Sequence, residues 1–277
     1  MGAMTAQGWN GADTAAVLTE PTADDDKYSR GVVGMRTGSA AFPGAAVLGV
    51  EAAWRTGVGM VRYLGPERAA DHVLGRRPET VTADGRVQAW VIGSGTDAAH
   101  RSARERAALR GILSGEAPVV VDAGALDLAA GASAPVVATP HGREHARLRQ
   151  MLGLDPEIDD PAETSAALGG VVVRKGATTV VAAPGIEPIE ITAPTSWLAT
   201  AGTGDVLAGT VGAVVAGVIG HGTSPADLGA LQRAAASAVW LHGHAAALAV
   251  AANGGGPIVA LDVAEHLPHA VAAALAG

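Results

Sequence analysis

Short runs of apolar, β-branched residues alternate with longer segments of mixed polarity along the first two thirds of the chain. The runs predict strands, and the charge spacing between them is typical of helices. The predicted strands are Gly31–Thr37, Val58–Leu64, Val87–Ile92, Pro118–Asp122, Pro135–Thr139 and Val171–Lys175. The predicted helices between them are Ala45–Arg55, Asp97–Leu113 and Gly142–Leu152. This alternation indicates βαβ units, and therefore an α/β fold with a mostly parallel sheet.

The pattern changes after the last of these strands. The stretch VVVRKGATTVVAAP has two β-branched runs on either side of Gly176-Ala177, which predicts an antiparallel hairpin added to the sheet. From Asp205 onward the periodicity is almost entirely helical, and the predicted helices are Val206–Ile219, Ala226–Val250 and Leu261–Leu275. The first 26 residues are polar and acidic, so we expect a loose arm over residues 1–26 and a single domain over residues 27–277.

Composition restricts the partners that the chain can have. Hydrophobic residues make up 48% of the 277 residues but aromatic residues only 3%, so the core must consist of Ala, Val and Leu. The net charge of −8 argues against nucleic acid and anionic membranes, because both require clustered Lys and Arg. The chain has no cysteine, which fits a reducing compartment, and its first residues do not have the pattern of a signal peptide. We therefore expect a cytoplasmic protein that acts on a small molecule.

One long apolar segment, SWLATAGTGDVLAGTVGAVVAG, carries a single charge at Asp205. A membrane span is one interpretation, but the segment is rich in Gly, Ala and Thr. An acidic residue near the centre of a span costs roughly 2.5–3.5 kcal/mol. The apolar stretch between Asp205 and His221 is also shorter than the ~20 residues that a span needs. We therefore interpret the segment as a helix of a soluble domain.

The glycine-rich turn that opens this helix is a candidate anion site. Unpaired backbone N–H groups and the helix dipole favour negative charge there, and Gly202 and Gly204 allow a phosphate to approach the backbone. A carboxylate beside a bound phosphate is useful if it removes a proton from an attacking hydroxyl. Asp205 could equally be a helix cap. From spacing alone both roles stay open.

A second glycine motif, VIGSGTDA at Val91–Ala98, follows a predicted strand and fits the dinucleotide-binding pattern G-x-G-x-x-A. Asp122 would then be the acid that holds a ribose, and the chain would be an NAD-dependent oxidoreductase. Two predicted strands precede the motif, and the interval to Asp122 is long for this pattern. The oxidoreductase is therefore the weaker hypothesis.

Other polar residues are weaker candidates when each is taken alone. His141 follows a predicted strand end, where ligands of parallel sheets bind, but a surface turn explains it as well. Lys175 and Thr178-Thr179 lie at the predicted hairpin, where a lysine is usually solvated. His242 and His244 are two residues apart, which places them on different sides of a helix. We therefore predict no metal site made of protein side chains alone.

Taken together, the motifs resemble those of the ADP-dependent NAD(P)H-hydrate dehydratases, a branch of the ribokinase-like superfamily. In order along the chain they are KYSRGVVGMRTGSAAFPGAAVLGVEAA, VIGSG, VVVDAGAL, ATPHGRE, VRKGATTVV and LATAGTGDVLAG. The resemblance runs from about Lys27 to the C-terminus. It implies a ribokinase-like three-layer sandwich that regenerates NADH and NADPH from their hydrates, using ADP as phosphoryl donor and releasing AMP and phosphate.

The resemblance also implies roles for individual residues. The hydrated cofactor would be bound by Ala45, Gly95, His141 and Asp205. The adenine nucleotide would be bound by Lys175, Gly176, Ala177, Thr178, Thr179 and Gly204. Asp205 would act as catalytic base, the Gly202 and Gly204 amides would stabilise the transferred phosphoryl group, and Mg²⁺ would bridge the nucleotide phosphates.

The chain departs from the family pattern at three places. Phe42 stands where tyrosine is common, Gly124 where a second Asp often follows, and Thr96-Asp97 replaces a glycine-rich continuation. We expect that the epimerase domain fused to some relatives is absent. We also expect a homo-oligomer, with a tetramer as one candidate form.

Two further functions are compatible with the same motifs. A kinase of this fold that acts on a small hydroxymethyl substrate would use the GTGD turn without an elimination step. A nucleotide-binding regulator would keep the fold without turnover. The ATPHGRE and GSAAFPGAA blocks favour the dehydratase over the kinase.

Overall fold

The computed structural model describes residues 7–277, and in this part of the chain nine strands form one sheet. The strands are β1 (Gln7–Gly8), β2 (Val32–Arg36), β3 (Met60–Tyr63), β4 (Ala89–Ile92), β5 (Val119–Val121), β6 (Val136–Ala138), β7 (Val171–Arg174), β8 (Thr178–Ala183) and β9 (Ile186–Thr192). Their order across the sheet is β1-β9-β8-β7-β6-β5-β4-β2-β3. Only β8 runs antiparallel to its neighbours β7 and β9, and the other described pairs are parallel. The predicted mostly parallel sheet and its hairpin are confirmed.

The helices connect the strands and cover the sheet. They are α1 (Gly11–Ala15), α2 (Gly44–Thr56), α3 (Glu67–Arg76), α4 (Ala103–Leu113), α5 (Gly142–Met151), α6 (Pro161–Leu168), α7 (Thr203–Gly220), α8 (Leu228–Ala252) and α9 (Ala260–Leu275). Short 3₁₀ turns are at Ala98–His100, Ala123–Gly131 and Ser196–Leu198. The helix predicted over Asp97–Leu113 is divided, because Asp97 caps the first 3₁₀ turn and Ser102 caps α4.

Alternating side chains of the strands pack into two separate apolar layers, as a sheet covered on both faces requires. Val120 of β5 packs into the core under α2, α7, α8 and α9. Its neighbours Val119 and Val121 pack into the second core, with Leu109 of α4 and Leu148 of α5. The molecule is therefore a three-layer α/β/α sandwich, as predicted.

Helix α7 crosses the centre of the larger core. Both α7 and α8 are long and apolar enough to span a membrane, but 67% of the most apolar window of each is buried inside the fold. A methyl group on Gly209 of α7 would lie 2.2 Å from the carbonyl oxygen of Gly49 in α2. The small residues of α7 therefore allow α2 and α7 to pack closely.

Residues 7–26 differ from the loose arm that the sequence predicts over residues 1–26, of which residues 1–6 lie outside the described part of the chain. Residues Gln7 and Gly8 pair with β9 at the edge of the sheet. The indole N–H of Trp9 donates to Thr14 Oγ1 at 3.2 Å, and Thr14 is fully buried. Trp9 also packs against the main core. The sequence does not predict these contacts, because residues 1–26 are mostly polar and acidic and because β9 and the main core are distant from them in sequence.

Candidate active site

Four polar side chains meet at the carboxyl edge of the parallel strands. Ser94 follows β4, Asp122 follows β5, Thr139 follows β6 and Lys175 follows β7. Asp122 Oδ1 accepts from Lys175 Nζ at 2.8 Å and from Thr139 Oγ1 at 2.8 Å. Asp122 Oδ2 accepts from Ser94 Oγ at 2.9 Å. Because Asp122 is almost completely buried, its charge requires these donors.

Lys175 is the cation of this cluster. Its Nζ also lies 3.9 Å from Glu144 Oε2. Burial lowers the pKa of Lys175, but the carboxylates of Asp122, Glu144 and Asp205 outweigh that effect and raise it above its ordinary value. Lys175 is therefore positively charged at neutral pH, in a position to bind an anion.

The predicted glycine turn opens α7 next to this lysine. Gly202 adopts the left-handed conformation with φ of 90°, which a residue with a side chain rarely takes. In the described structure no side chain caps the N-terminus of α7, so Asp205 does not make the capping bond that the alternative interpretation requires. Burial, and then the charge of Asp122, raise the pKa of Asp205 to about 6, against an opposing effect of Lys175.

A cavity of about 750 Å³ opens between the β8–β9 hairpin, the start of α7 and the middle of α8. Six of the predicted site residues line it: His141, Lys175, Gly176, Ala177, Thr179 and Gly204. Thr178 does not line this cavity, and its hydroxyl lies 3.1 Å from that of Thr192 across the β8–β9 pair. The cavity therefore joins the glycine turn to the hairpin.

Ala45 and Gly95 do not line this cavity, and Ala45 belongs to α2. A methyl group on Gly95 would be 2.3 Å from Ala45 Cβ, so these two residues pack directly on each other. One turn further along α2, Leu48 is the nearest side chain to Gly202. Phe42, in the loop before α2, is 59% exposed. The first turn of α7, which carries Asp205, thus contacts both the cavity, at Gly204, and α2, at Leu48.

His141 is a neighbour of Lys175 at the end of β6. It caps α5, where its Nδ1 accepts from the backbone of Arg143 and Glu144 at 3.1 and 3.2 Å. Its backbone forms a bridge with Lys175, and its side chain lines the cavity. His141 therefore combines a structural role with an exposed ring at the site.

The second glycine motif does not have the geometry of a dinucleotide fingerprint. A 3₁₀ turn follows it, so no α-helix begins at Thr96. Asp122 is already bound by Ser94, Thr139 and Lys175. These observations argue against Asp122 as the ribose acid of an NAD-dependent oxidoreductase.

Sequence reasoning missed three residues of this site. The glycine motif predicts Asp122 only as a ribose ligand. Its position after a strand, like that of Lys175, is the signal that places both residues at the same edge of the sheet. Glu144 lies in the ATPHGRE motif, but its proximity to Lys175 depends on the sheet order. His242 was considered only as a metal ligand, and it lines the cavity.

The comparisons with known proteins show the family of the chain. A family model described as NAD(P)H-hydrate dehydratase matches residues 33–269. The chain belongs to the NAD(P)H-hydrate dehydratase family. It is 42% identical to the bifunctional NAD(P)H-hydrate repair enzyme Nnr of Mycobacterium tuberculosis, over 79% of this chain and 48% of that protein. It is 32% identical to the ADP-dependent (S)-NAD(P)H-hydrate dehydratase of Neisseria meningitidis, over 80% of this chain and 78% of that protein.

A solved structure supports the same family assignment. The ADP/ATP-dependent NAD(P)H-hydrate dehydratase of Bacillus subtilis, co-crystallised with ATP and Mg²⁺, superposes with a TM-score of 0.79. It is 26% identical, and the match covers 97% of this chain and 98% of that one. A ribokinase-like superfamily protein of Enterococcus faecalis shares the fold, with a TM-score of 0.78 and 22% identity. This member of the dehydratase family spans about half the length of several curated relatives, the tuberculosis enzyme among them.

Proposed function

We propose that this family member is an ADP-dependent NAD(P)H-hydrate dehydratase, a carbon–oxygen lyase that repairs hydrated NADH and NADPH. The observation that carries the proposal is Asp205. Its carboxylate follows the glycine turn directly, is mostly buried, and has a pKa raised to about 6. A general base works best when its pKa is close to the operating pH, and Asp205 meets that condition.

The proposed chemistry starts at the hydroxyl group of the hydrate. Asp205 accepts the hydroxyl proton, the oxygen forms a bond with the terminal phosphorus of ADP, and the bond from that phosphorus to AMP breaks. The carbon–oxygen bond of the phosphorylated hydrate then breaks, and a proton leaves the neighbouring carbon. The products are NAD(P)H, AMP and phosphate, and the phosphate contains the oxygen of the hydrate.

On the nucleotide side, we assign ADP to the cavity lined by Lys175, Gly176, Ala177, Thr179 and Gly204. Its volume of about 750 Å³ lies within the ~300–1,000 Å³ of small-molecule sites. The backbone N–H groups of Gly202 and Gly204 open α7 and favour a phosphate, and Lys175 supplies a positive charge beside it. Thr178 does not line the cavity, so we assign it no direct contact with ADP. Its role is in the hairpin, where its hydroxyl contacts that of Thr192.

On the substrate side, we assign the hydrated nicotinamide to the face of Asp205 that is turned toward Ala45 and Gly95. His141 would contact the substrate from the Lys175 side, where its exposed ring lies at the cavity wall. In this arrangement Asp205 lies beside the substrate hydroxyl, and the hydroxyl oxygen faces the phosphorus directly, as phosphoryl transfer requires.

Mg²⁺ fits the donor chemistry of this site. Residues 7–277 contain no group of three side chains that could hold a metal ion without a ligand. Mg²⁺ needs only one or two carboxylates when substrate phosphates complete its shell. Asp122, Glu144 and Asp205 surround Lys175, and of these Glu144 would hold the ion with the nucleotide. When bound, Mg²⁺ neutralises phosphate charge.

We also propose a cytoplasmic homo-oligomer, with a tetramer as the candidate form. The absence of cysteine supports a reducing compartment. Sedimentation at micromolar concentration tests the assembly, because each added copy contributes 27.3 kDa.

The test of the proposed function is direct. The protein is incubated with hydrated NADH, ADP and Mg²⁺, and absorbance is followed at the reduced-nicotinamide band. We expect NADH to appear together with equal amounts of AMP and phosphate. If no NADH forms, the dehydratase is contradicted, and phosphorylation of a small hydroxymethyl substrate by the same sample would indicate the kinase alternative.

A further inference from the structure

Histidine 242 lies in the wall of the nucleotide cavity, yet none of the roles assigned above involves it. It belongs to the middle of α8 and is 8% exposed. Because it lines the cavity, the cavity is where that exposed part of the ring opens. Its neighbours in the wall include the apolar side chains of Leu207 and Val239.

The protonation of this ring is determined by its surroundings. Nε2 lies 3.0 Å from the carbonyl oxygen of Thr203, which can only accept, so Nε2 carries the proton. Burial lowers the pKa of His242 to about 4, so the ring is neutral at physiological pH. Nδ1 is then an acceptor without a proton, and no residue within 7–277 donates a hydrogen bond to it.

Thr203 is the first residue of α7 and directly precedes Gly204. His242 is therefore tied to the turn that the proposed function assigns to phosphate. An acceptor held there, in a largely apolar wall, would face the nucleoside attached to that phosphate. The hydrogen-bond donors of adenosine are the ribose hydroxyls and the 6-amino group.

We propose that His242 recognises the nucleoside of the bound nucleotide, its Nδ1 accepting a hydrogen bond from a ribose hydroxyl or from the base amino group. The inference rests on the proposed function, because it requires a nucleotide in this cavity. His242 is then a specificity-determining residue with two hydrogen bonds. Its Nε2–H donates to the carbonyl oxygen of Thr203, and its Nδ1 accepts from the nucleoside. The proximity of Thr203 favours a ribose hydroxyl.

Two substitutions separate the two ring nitrogens. His242→Gln places an amide nitrogen near the position of Nε2 and removes the acceptor at Nδ1. His242→Asn places an amide oxygen near the position of Nδ1 and removes the donor to Thr203. His244→Gln is the matched control, since His244 lines the same cavity from the next part of α8.

The experiment is calorimetric titration of the parent and the three variants with ADP, 2′-deoxy-ADP, 3′-deoxy-ADP and IDP. We expect one analogue to bind the parent about three- to tenfold more weakly than ADP, the effect of one lost hydrogen bond. That ratio should fall to about one in His242→Gln and persist in His242→Asn and His244→Gln. A deoxy analogue as the weak binder assigns the bond to the ribose, and IDP as the weak binder assigns it to the base.

The proposal is overturned if all analogues bind the parent as tightly as ADP, or if His242→Gln keeps the parent ratio. If His242→Gln does not fold, the parent and His242→Asn still test the proposal. His242→Asn keeps an acceptor near the position of Nδ1, so if it no longer distinguishes the analogue from ADP, the acceptor role is contradicted. Failure of the proposed function is distinct, because it is measured as absence of NADH formation, whereas a parent that does not bind ADP contradicts the nucleotide assignment of the cavity.

Discussion

Two carboxylates with different surroundings interact at this site: Asp122, which is buried after β5, and Asp205, which is half-buried in the first turn of α7. Asp122 accepts hydrogen bonds from Ser94, Thr139 and Lys175, which stabilise its charge. Asp205 has no such set of donors in the described structure, and burial raises its pKa to about 6. A carboxyl group whose pKa is raised toward the operating pH is the candidate for proton transfer, and here that group is Asp205. Asp122 instead holds Lys175 in position.

The pH dependence of the reaction follows from the state of Asp205. A base must be ionised, so activity should be low when Asp205 is protonated and should rise as the pH increases through about 6. We expect kcat/KM for the hydrate, measured at saturating ADP, to rise about tenfold per pH unit below 6 and to level off above it. Saturating ADP removes the contribution of the nucleotide phosphates, which also titrate near pH 6. A profile that is flat from pH 5 to pH 8 would contradict the assignment.

Gly204 tests the phosphate position. A methyl group there would lie 3.6 Å from Lys175 Nζ, an ordinary contact, so the folded protein has room for a side chain. The same side chain would occupy the space of a phosphate bound at the turn. We expect Gly204→Val to fold and to bind ADP at least tenfold more weakly in calorimetry. Gly111→Val in α4, where nothing lies within 4 Å, is the control, and equal ADP affinity in both variants would place the phosphate elsewhere.

At the scale of elements, the contact between α2 and α7 connects the two sides of the site. Gly209 of α7 faces the backbone of Gly49 in α2. Gly217 also belongs to α7, but a methyl group there would have only the carbonyl oxygen of Arg30 nearby, at 4.0 Å. This contact explains why a segment with membrane-like apolarity is rich in small residues.

The matched pair Gly209→Ala and Gly217→Ala measures that contact. Gly209→Ala puts a methyl group 2.2 Å from a carbonyl oxygen, so we expect a loss of about 2 kcal/mol or more in the free energy of unfolding. Gly217→Ala should be neutral or stabilise by up to ~1 kcal/mol, because alanine favours the helix. Urea denaturation measures both. Equal stability of the two variants would mean that the helices do not pack as described.

The elements that the sequence predicted are those with strong local patterns. The β-branched runs and the Gly176-Ala177 turn are sufficient to locate β2 to β8, apart from one or two residues at their ends. Strand β9 is not predicted from the sequence. Pro188 interrupts its alternation of apolar and polar residues, and a proline inside such a run argues against a strand. Helix α6 is short and has a weak apolar face, so its capping residue Asp160 and Pro161 were the only local signals.

At the scale of the whole molecule, the parts that were not predicted depend on contacts between distant residues. The Lys175–Asp122 pair joins residues 53 positions apart and requires β5, β6 and β7 to be neighbours. The glycine turn and Asp205 were accessible to sequence reasoning because they form one local motif. Asp122 and Lys175, whose charges shift the pKa of Asp205, could not be predicted as its neighbours, because only the sheet order brings them together.

The N-terminal segment is the clearest case of such a distant contact. Trp9 packs against the main core and binds Thr14, whereas Trp197 is 45% exposed. We expect Trp9→Ala to lower the melting temperature by at least about 4 °C, since loss of a packed aromatic costs several kcal/mol. Trp197→Ala should leave it nearly unchanged. Equal melting temperatures for Trp9→Ala and the parent would support the loose arm instead.

The most direct test of the account is the rate of NADH formation by Asp205→Asn, with hydrated NADH, ADP and Mg²⁺ all saturating. The amide keeps the shape of the carboxylate but cannot take a proton, so we expect turnover to fall roughly 10²–10⁴-fold. ADP should bind as tightly as to the parent or slightly more tightly, because a negative charge next to the phosphate is removed. Calorimetry on the same sample verifies that the variant is folded and binds ADP. Turnover within about threefold of the parent would contradict the central claim that Asp205 is the catalytic base.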